Sequence, residues 1–267
     1  MRLANKVAIV TGSSRGLGKH IAKLFAREGA ITIVTGRSQE SGEIPGSVLE
    51  TASEIEQAGG QALPVVCDLG VESEIQRLVS TVMARYGQID LIVNNAVIRV
   101  PTKLIDSSPA EMEWVLRVNV LGPFNVCKYA LPEMMKRRQG HIINIKSSEE
   151  NWILKPVRDW EPGNAPYLVS KAALTMFSLV LAAEVKEHGI AVNAYYPGHL
   201  SSDAHTAMRL QRSKLYGTPK QVPHDSAEVC DESLTYLAMQ TAATLTGRIV
   251  RRVEYGSTWG PGIDLPR

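Results

Sequence analysis

Seven short apolar runs recur along the chain, near residues 7–11, 31–35, 62–66, 89–94, 141–145, 190–195 and 248–253. The first, Val7 to Val10, is apolar throughout, as in a strand buried on both faces. Between the runs the apolar spacing changes to that of helices, near 17–28, 47–58, 72–86, 110–138, 166–187 and 226–238. In the first of these, Ile21, Leu24 and Phe25 share a face and Gly29 stands near the end. Strands alternating with helices predict a parallel sheet covered on both faces.

Right-handed crossovers make this a doubly wound, seven-stranded α/β sheet of the Rossmann kind, with its ligand site beyond the carboxyl ends of the strands. The 267 residues suit a single such domain. A net charge of +2, with 21% charged residues, leaves no general polyanion footprint and so no expected nucleic-acid partner. No stretch is read as reaching the roughly 18 apolar residues of a membrane span. The start, MRLANKVAIV, is read as strand and loop rather than a signal peptide. Cys67, Cys127 and Cys230 lack metal-like spacing, and their odd number suits reduced thiols in a cytoplasmic protein. His199, His205 and His224 form no metal pattern either, so no metal is expected.

Candidate chemistry falls at strand ends. After Val10 the chain reads Thr11, Gly12, Ser13, Ser14, Arg15, Gly16, Leu17, Gly18. A strand, a glycine-rich turn and a helix present backbone N–H groups to a phosphate. Further on, Tyr167 and Lys171 lie one helical turn apart on one face. An ammonium beside a phenol favours the phenolate, which makes Tyr167 a candidate proton donor and acceptor near neutral pH.

Together these motifs resemble the short-chain dehydrogenase/reductase family. The resemblance extends to Asn94-Asn95-Ala96, Asn119 in VLRVNVLGPF, the serines of HIINIKSSEE, and Tyr196-Pro197-Gly198. The region from QESGEIPGSV onward is similar to hydroxysteroid dehydrogenase-like 2 proteins. The family implies a cofactor half over about 1–145, a substrate loop over about 149–166 and a substrate lid over about 199–225. It also implies Tyr167 as acid in carbonyl reduction and base in alcohol oxidation. Lys171 would depress the tyrosine and hold the nicotinamide ribose, and Asn119 would anchor a water for proton relay. A serine would hydrogen-bond the substrate oxygen. Alignment on the strand favours Ser147 as that serine, with Ser148 the competitor and a pocket residue otherwise.

The resemblance places cofactor contacts at Gly12, Ser14, Arg15, Gly16, Leu17, Gly18, Asp68, Leu69, Asn95, Ala96, Pro197, Gly198 and a hydroxyl residue, Ser202 or its neighbour Ser201. Asp68 is also a candidate helix cap. Where an acid would bind the ribose hydroxyls of NAD, the second strand ends in Gly36 and Arg37. Arg15 and Arg37 suit a 2′-phosphate, so NADP(H) is expected over NAD(H). Val97 replaces the family's usual glycine, which bears on the backbone beside the nicotinamide.

The span from Ser147 to Tyr167 is about seven residues longer than is usual, a length that adds little closure cost. Its Trp152 and Trp160 either line the substrate pocket or pack as a surface or subunit contact. Asn164 is a plausible cap for the helix that Pro166 opens. The expected activity is an NADP(H)-dependent carbonyl reductase or alcohol dehydrogenase acting on a small-molecule carbonyl or alcohol. The alternatives are a 3-oxoacyl thioester reductase and a non-catalytic NADP(H) sensor. The family further implies a homodimer or homotetramer built on the helices near 110–138 and 166–187, with VEYGSTWGPGIDLPR completing a strand and reaching a neighbouring subunit.

Overall fold

The computed structural model describes residues 1–40, 45–147, 163–201, 206, 210, 213–214 and 224–264. Its strands are β1 (Val7–Thr11), β2 (Ile31–Gly36), β3 (Gln61–Val66), β4 (Leu91–Asn94), β5 (Gly140–Ile145), β6 (Ile190–Tyr196) and β7 (Arg248–Arg251). They form one parallel sheet in the order β3-β2-β1-β4-β5-β6-β7. The helices are α1 (Gly16–Arg27), α2 (Val48–Gln57), α3 (Glu72–Tyr86), α4 (Pro109–Leu116), α5 (Gly122–Arg137), α6 (Ala165–Val185) and α7 (Asp231–Ala238).

Successive strand residues point to opposite faces, so each strand feeds two cores. Ala8 and Val10 join Ile21, Leu24 and Phe25 of α1, with α2 and α7 beside them. Val7 and Ile9 join Ile75, Leu78 and Val82 of α3, with α5 and α6 beside them. Burial on both sides explains why these strands are apolar rather than alternating.

The single helix expected over 110–138 is instead α4, a π turn at Arg117–Leu121, and α5. Ser108 and Glu111 form a capping box at the start of α4. In the π turn the Gly122 N–H reaches Arg117 O, five residues back. Apolar periodicity carries through the whole stretch, so the extra residue leaves no mark in it. The last strand stops at Arg251, and a 3-10 turn follows at Arg252–Glu254.

Two further expectations are corrected. The segment Ala165–His188 has a mean hydropathy of 1.7 and is long and apolar enough to cross a membrane. Here it packs against β6 and carries Tyr167, Ser170, Lys171 and Ser178 into the interior. The segment after β7 does not complete the strand, which ends at Arg251; Trp259 is buried, donates from Nε1 to Arg251 O at 2.7 Å, and packs on Tyr195 and Tyr255.

A buried amide chain sets α6 on the sheet. Asn94 Nδ2 donates to Asn144 Oδ1 at 2.7 Å, and Asn144 Nδ2 donates to Ser178 Oγ at 2.8 Å. Desolvated polar groups are costly unless paired, so this chain selects one placement of α6 over β4 and β5.

Candidate active site

The glycine turn is laced to both neighbouring strands. Ser13 N–H donates to Thr35 O at 2.9 Å, and Thr35 N–H donates to Ser13 Oγ at 2.9 Å. Thr11 Oγ1 accepts from Asn95 N–H at 3.0 Å and Ala96 N–H at 3.1 Å. Asn95 Nδ2 donates to Thr11 O at 2.9 Å and Gly12 O at 3.2 Å. Gly12 has φ +65° and Gly16 φ +56°, the left-handed region that favours glycine. A Cβ on Gly12 would stand 2.7 Å from Ala96 Cα. The turn thus presses against the segment that follows β4 at one end and opens α1 at the other. Arg15 is the N-cap of α1, and its side chain makes no cap bond to that first turn. Its N–H donors and positive dipole end suit a phosphate.

The other expected cofactor residues follow the carboxyl ends of β2, β3, β4 and β6. Arg15 is half-buried and donates from Nη2 to Gly46 O at 3.4 Å, while Arg37 is exposed at the end of β2. Leu69 is buried. Asp68 Oδ1 accepts from Gly70 N–H at 2.8 Å, closing a turn; the N-cap of α3 is Val71, so Asp68 does not cap that helix. Val97 is exposed, and its φ lies outside the left-handed region, so this β-branched residue imposes no strain there. Pro197 and Gly198 follow β6. Arg252, which the motifs did not single out, donates from Nε to Pro197 O at 2.8 Å and pairs with Asp225 at 2.5 Å.

At the end of β5, Lys146 is buried and its N–H donates to Tyr195 O at 2.9 Å. That main-chain bond continues the β5–β6 ladder and delivers Ser147 next to α6. The buried Lys171 donates from Nζ to Ile145 O at 2.7 Å. Tyr167, 5% exposed, receives a hydrogen bond from Ser147 at its phenol. Ser147, Tyr167 and Lys171 therefore converge as expected. Asn164 sits at the N-cap of α6 but makes no side-chain cap bond. Ser148, Trp152, Trp160 and Ser202 lie outside the described residues.

Asn119, 1% exposed, lies in the π turn. Its Oδ1 accepts from Ile98 N–H at 2.9 Å, and its Nδ2 donates to Ile98 O at 2.9 Å and to Ser170 Oγ at 3.0 Å. Both amide hydrogens are thus spent within the protein, so a relay at this residue would run through its main chain or the remaining lone pair of Oδ1.

A second residue was missed by the motifs. Arg99, next to the bracketed Ile98, places Cζ 3.6 Å from the centroid of the Tyr167 ring. Only its position four residues past Asn95 marks it in the sequence. Burial pushes the Tyr167 phenol up; the charges of Arg99 and Lys171, with hydrogen bonds from Ser147 and Arg99, outweigh it and hold the phenol below its ordinary range. Burial likewise lowers Lys171, opposed by Tyr167 and reinforced by Arg99. The site can therefore give or take a proton at a buried phenol beside a fixed hydroxyl.

The chain is similar to known proteins over most of its length. The family model described as short chain dehydrogenase matches residues 6–213. A 3-oxoacyl-[acyl-carrier-protein] reductase of Chlamydia trachomatis is 34% identical over 250 residues, covering 93% of this chain and 96% of that protein. Hydroxysteroid dehydrogenase-like protein 2 of Xenopus laevis is 34% identical over 197 residues, 73% of this chain and 46% of that protein. Among solved structures, an actinorhodin polyketide ketoreductase variant with NADPH superimposes with a TM-score of 0.81 at 28% identity, covering 92% of this chain and 95% of that one. The chain belongs to the short-chain dehydrogenase family of oxidoreductases.

Proposed function

We propose that this protein moves a hydride between NADP(H) and a ketone or aldehyde, or a secondary alcohol in reverse, with Tyr167 as the acid and base. The observation that carries the reading is the meeting of the half-buried Ser147 with the buried Tyr167 and Lys171. Ser147 bonds the phenol, and Lys171 is anchored on Ile145 O at 2.7 Å. Bound nicotinamide would supply or accept the hydride. Ser147 would hold the substrate oxygen. Tyr167 would exchange the proton with that oxygen, and Lys171 would stabilise the phenolate and hold the ribose. The glycine turn and the first turn of α1 would hold the pyrophosphate. Arg15 and Arg37 would take a 2′-phosphate, and the NADPH-bound relative supports that preference.

A second reading, reduction of 3-oxoacyl thioesters, is supported by the end-to-end similarity to the acyl-carrier-protein reductase. In both readings a second copy of the chain would cover Leu121 and Phe124 near the start of α5 and Met176 and Val180 on α6, large apolar side chains left exposed. Three unpaired, buried cysteines support a cytoplasmic setting. The test is NADPH oxidation against ketones, aldehydes, diketones, steroids and 3-oxoacyl thioesters, with NADH and Tyr167→Phe as controls. The expected outcome is NADPH-preferring turnover that Tyr167→Phe abolishes without loss of NADPH binding. Turnover persisting in Tyr167→Phe would overturn the proton assignment, and a preference for NADH would overturn the roles of Arg15 and Arg37.

A further inference from the structure

We propose that Arg99 is a positioning residue for Tyr167: stacked on its ring, it supplies a second positive charge beside that of Lys171, stabilises the phenolate, and poises the site to take a proton from an alcohol. The inference rests on the proton role given to Tyr167 above. Its basis is geometric. The guanidinium carbon stands 3.6 Å from the ring centroid, well inside the distance at which a cation and an aromatic face attract. Tyr167 is almost wholly buried, so water screens the contact little.

The charge is also delivered by a braced backbone. Asn119 grips both the N–H and the C=O of Ile98, at 2.9 Å each, and Ile98 immediately precedes Arg99. Asn119 in turn holds Ser170 at 3.0 Å, and Ser170 Oγ donates to Tyr167 O at 2.7 Å. The π turn thereby couples the segment bearing Arg99 to the helical turn bearing Tyr167. This gives Asn119 a role in placing a cation as well as in shaping its own helix.

Among the described residues, the charged groups acting on Tyr167 are Lys171 from α6 and Arg99 from the segment after β4; Ser147, from the end of β5, adds a neutral hydrogen bond. Both charges act in one direction, toward the phenolate. Above the phenol's lowered midpoint Tyr167 is a base and alcohol oxidation runs; below it the group is an acid and carbonyl reduction is served. Removing Arg99 shifts that boundary to higher pH.

The experiment is a near-ultraviolet phenolate titration of the whole chain, with the Tyr167 contribution taken as the difference from Tyr167→Phe. It needs neither cofactor nor substrate. Wild type is expected to show a Tyr167 phenolate forming below the usual phenol range. Arg99→Met should move that midpoint up and Arg99→Lys should restore part of the displacement. With substrate and cofactor, the rising limb of alcohol oxidation should move by the same amount, leaving about tenfold less oxidation at a pH below both midpoints, the usual minimum effect of one adjacent charge. Should Arg99→Met fail to fold, Arg99→Lys and Arg99→Gln carry the same comparison. An unmoved midpoint in a folded variant overturns the proposal even if the enzyme turns over. A displaced midpoint in a protein that reduces and oxidises nothing in the panel supports the charge assignment and overturns the reductase reading instead.

Discussion

Gly18→Ala tests whether the phosphate-binding turn depends on backbone contact rather than on loop composition. Gly18 is the third residue of α1 and has no left-handed φ, so helix propensity alone favours alanine there by about 1 kcal/mol. The tertiary structure opposes it. A Cβ at this position would overlap Gly12 O and Asn95 Nδ2 and stand 2.8 Å from Gly12 C. None of these atoms is the loose end of a side chain. Gly12 O is main chain, and Asn95 Nδ2 is tied to Thr11 O at 2.9 Å and to Gly12 O at 3.2 Å. Making room means separating the turn from α1, at about 1–3 kcal/mol for overpacking. Losing the two Asn95 bonds adds about 1 kcal/mol each. Less the propensity gain, the net loss is about 2–4 kcal/mol. At about 2 °C per kcal/mol for a chain of this length, melting should fall by about 4–8 °C. Thermal melts with and without NADPH measure both effects, because a displaced turn also weakens cofactor binding. A variant that melts at or above wild type, with unchanged NADPH stabilisation, refutes the packing argument and leaves Gly18 as a residue of convenience.

Two further predictions rest on buried polar groups. Asn119→Ala leaves the Ile98 N–H and C=O without their side-chain partners, at about 1–3 kcal/mol each, so urea unfolding should show a loss of about 2–6 kcal/mol; a loss under about 1 kcal/mol would mean that Ile98 finds other partners. His141 is buried and its pKa is pushed down to about 3 by that burial. The unfolded chain, with an ordinary histidine near 6.5, therefore binds the proton first as pH falls, and stability drops by about 1.4 kcal/mol per unit from about 6.5 toward 3. Between pH 7 and 5 that amounts to about 2 kcal/mol, which His141→Gln should remove from the pH dependence of urea unfolding; an unchanged dependence would assign the acid lability to other groups.

The order of elements was legible in the sequence because a parallel sheet buried on both faces leaves a strong mark: runs such as Val7 to Val10 alternating with helical faces such as Ile21, Leu24 and Phe25. The helix carrying Tyr167 and Lys171 was legible too, since a spacing of four on any helix places two side chains together. Its interior position was not, because its length and hydropathy equally describe a membrane span; only packing on β6, with Asn144 bonded to Ser178, distinguishes the two.

What the sequence by itself determined is local: the alternation of strand and helix, the glycine turn, and the pairing of Tyr167 with Lys171. What only the tertiary structure decided is how separate segments meet. The π turn at Arg117–Leu121 interrupts an apolar pattern that reads as one helix, and Asn119 uses it to grip a segment 21 residues upstream. Arg99 carries no motif, yet it lies on the ring of a tyrosine in another element. Periodicity records which face of an element avoids water. It holds no record of which buried cation meets which phenol, because that contact is set by the crossing of strands and helices and by the desolvation that makes each unpaired group costly.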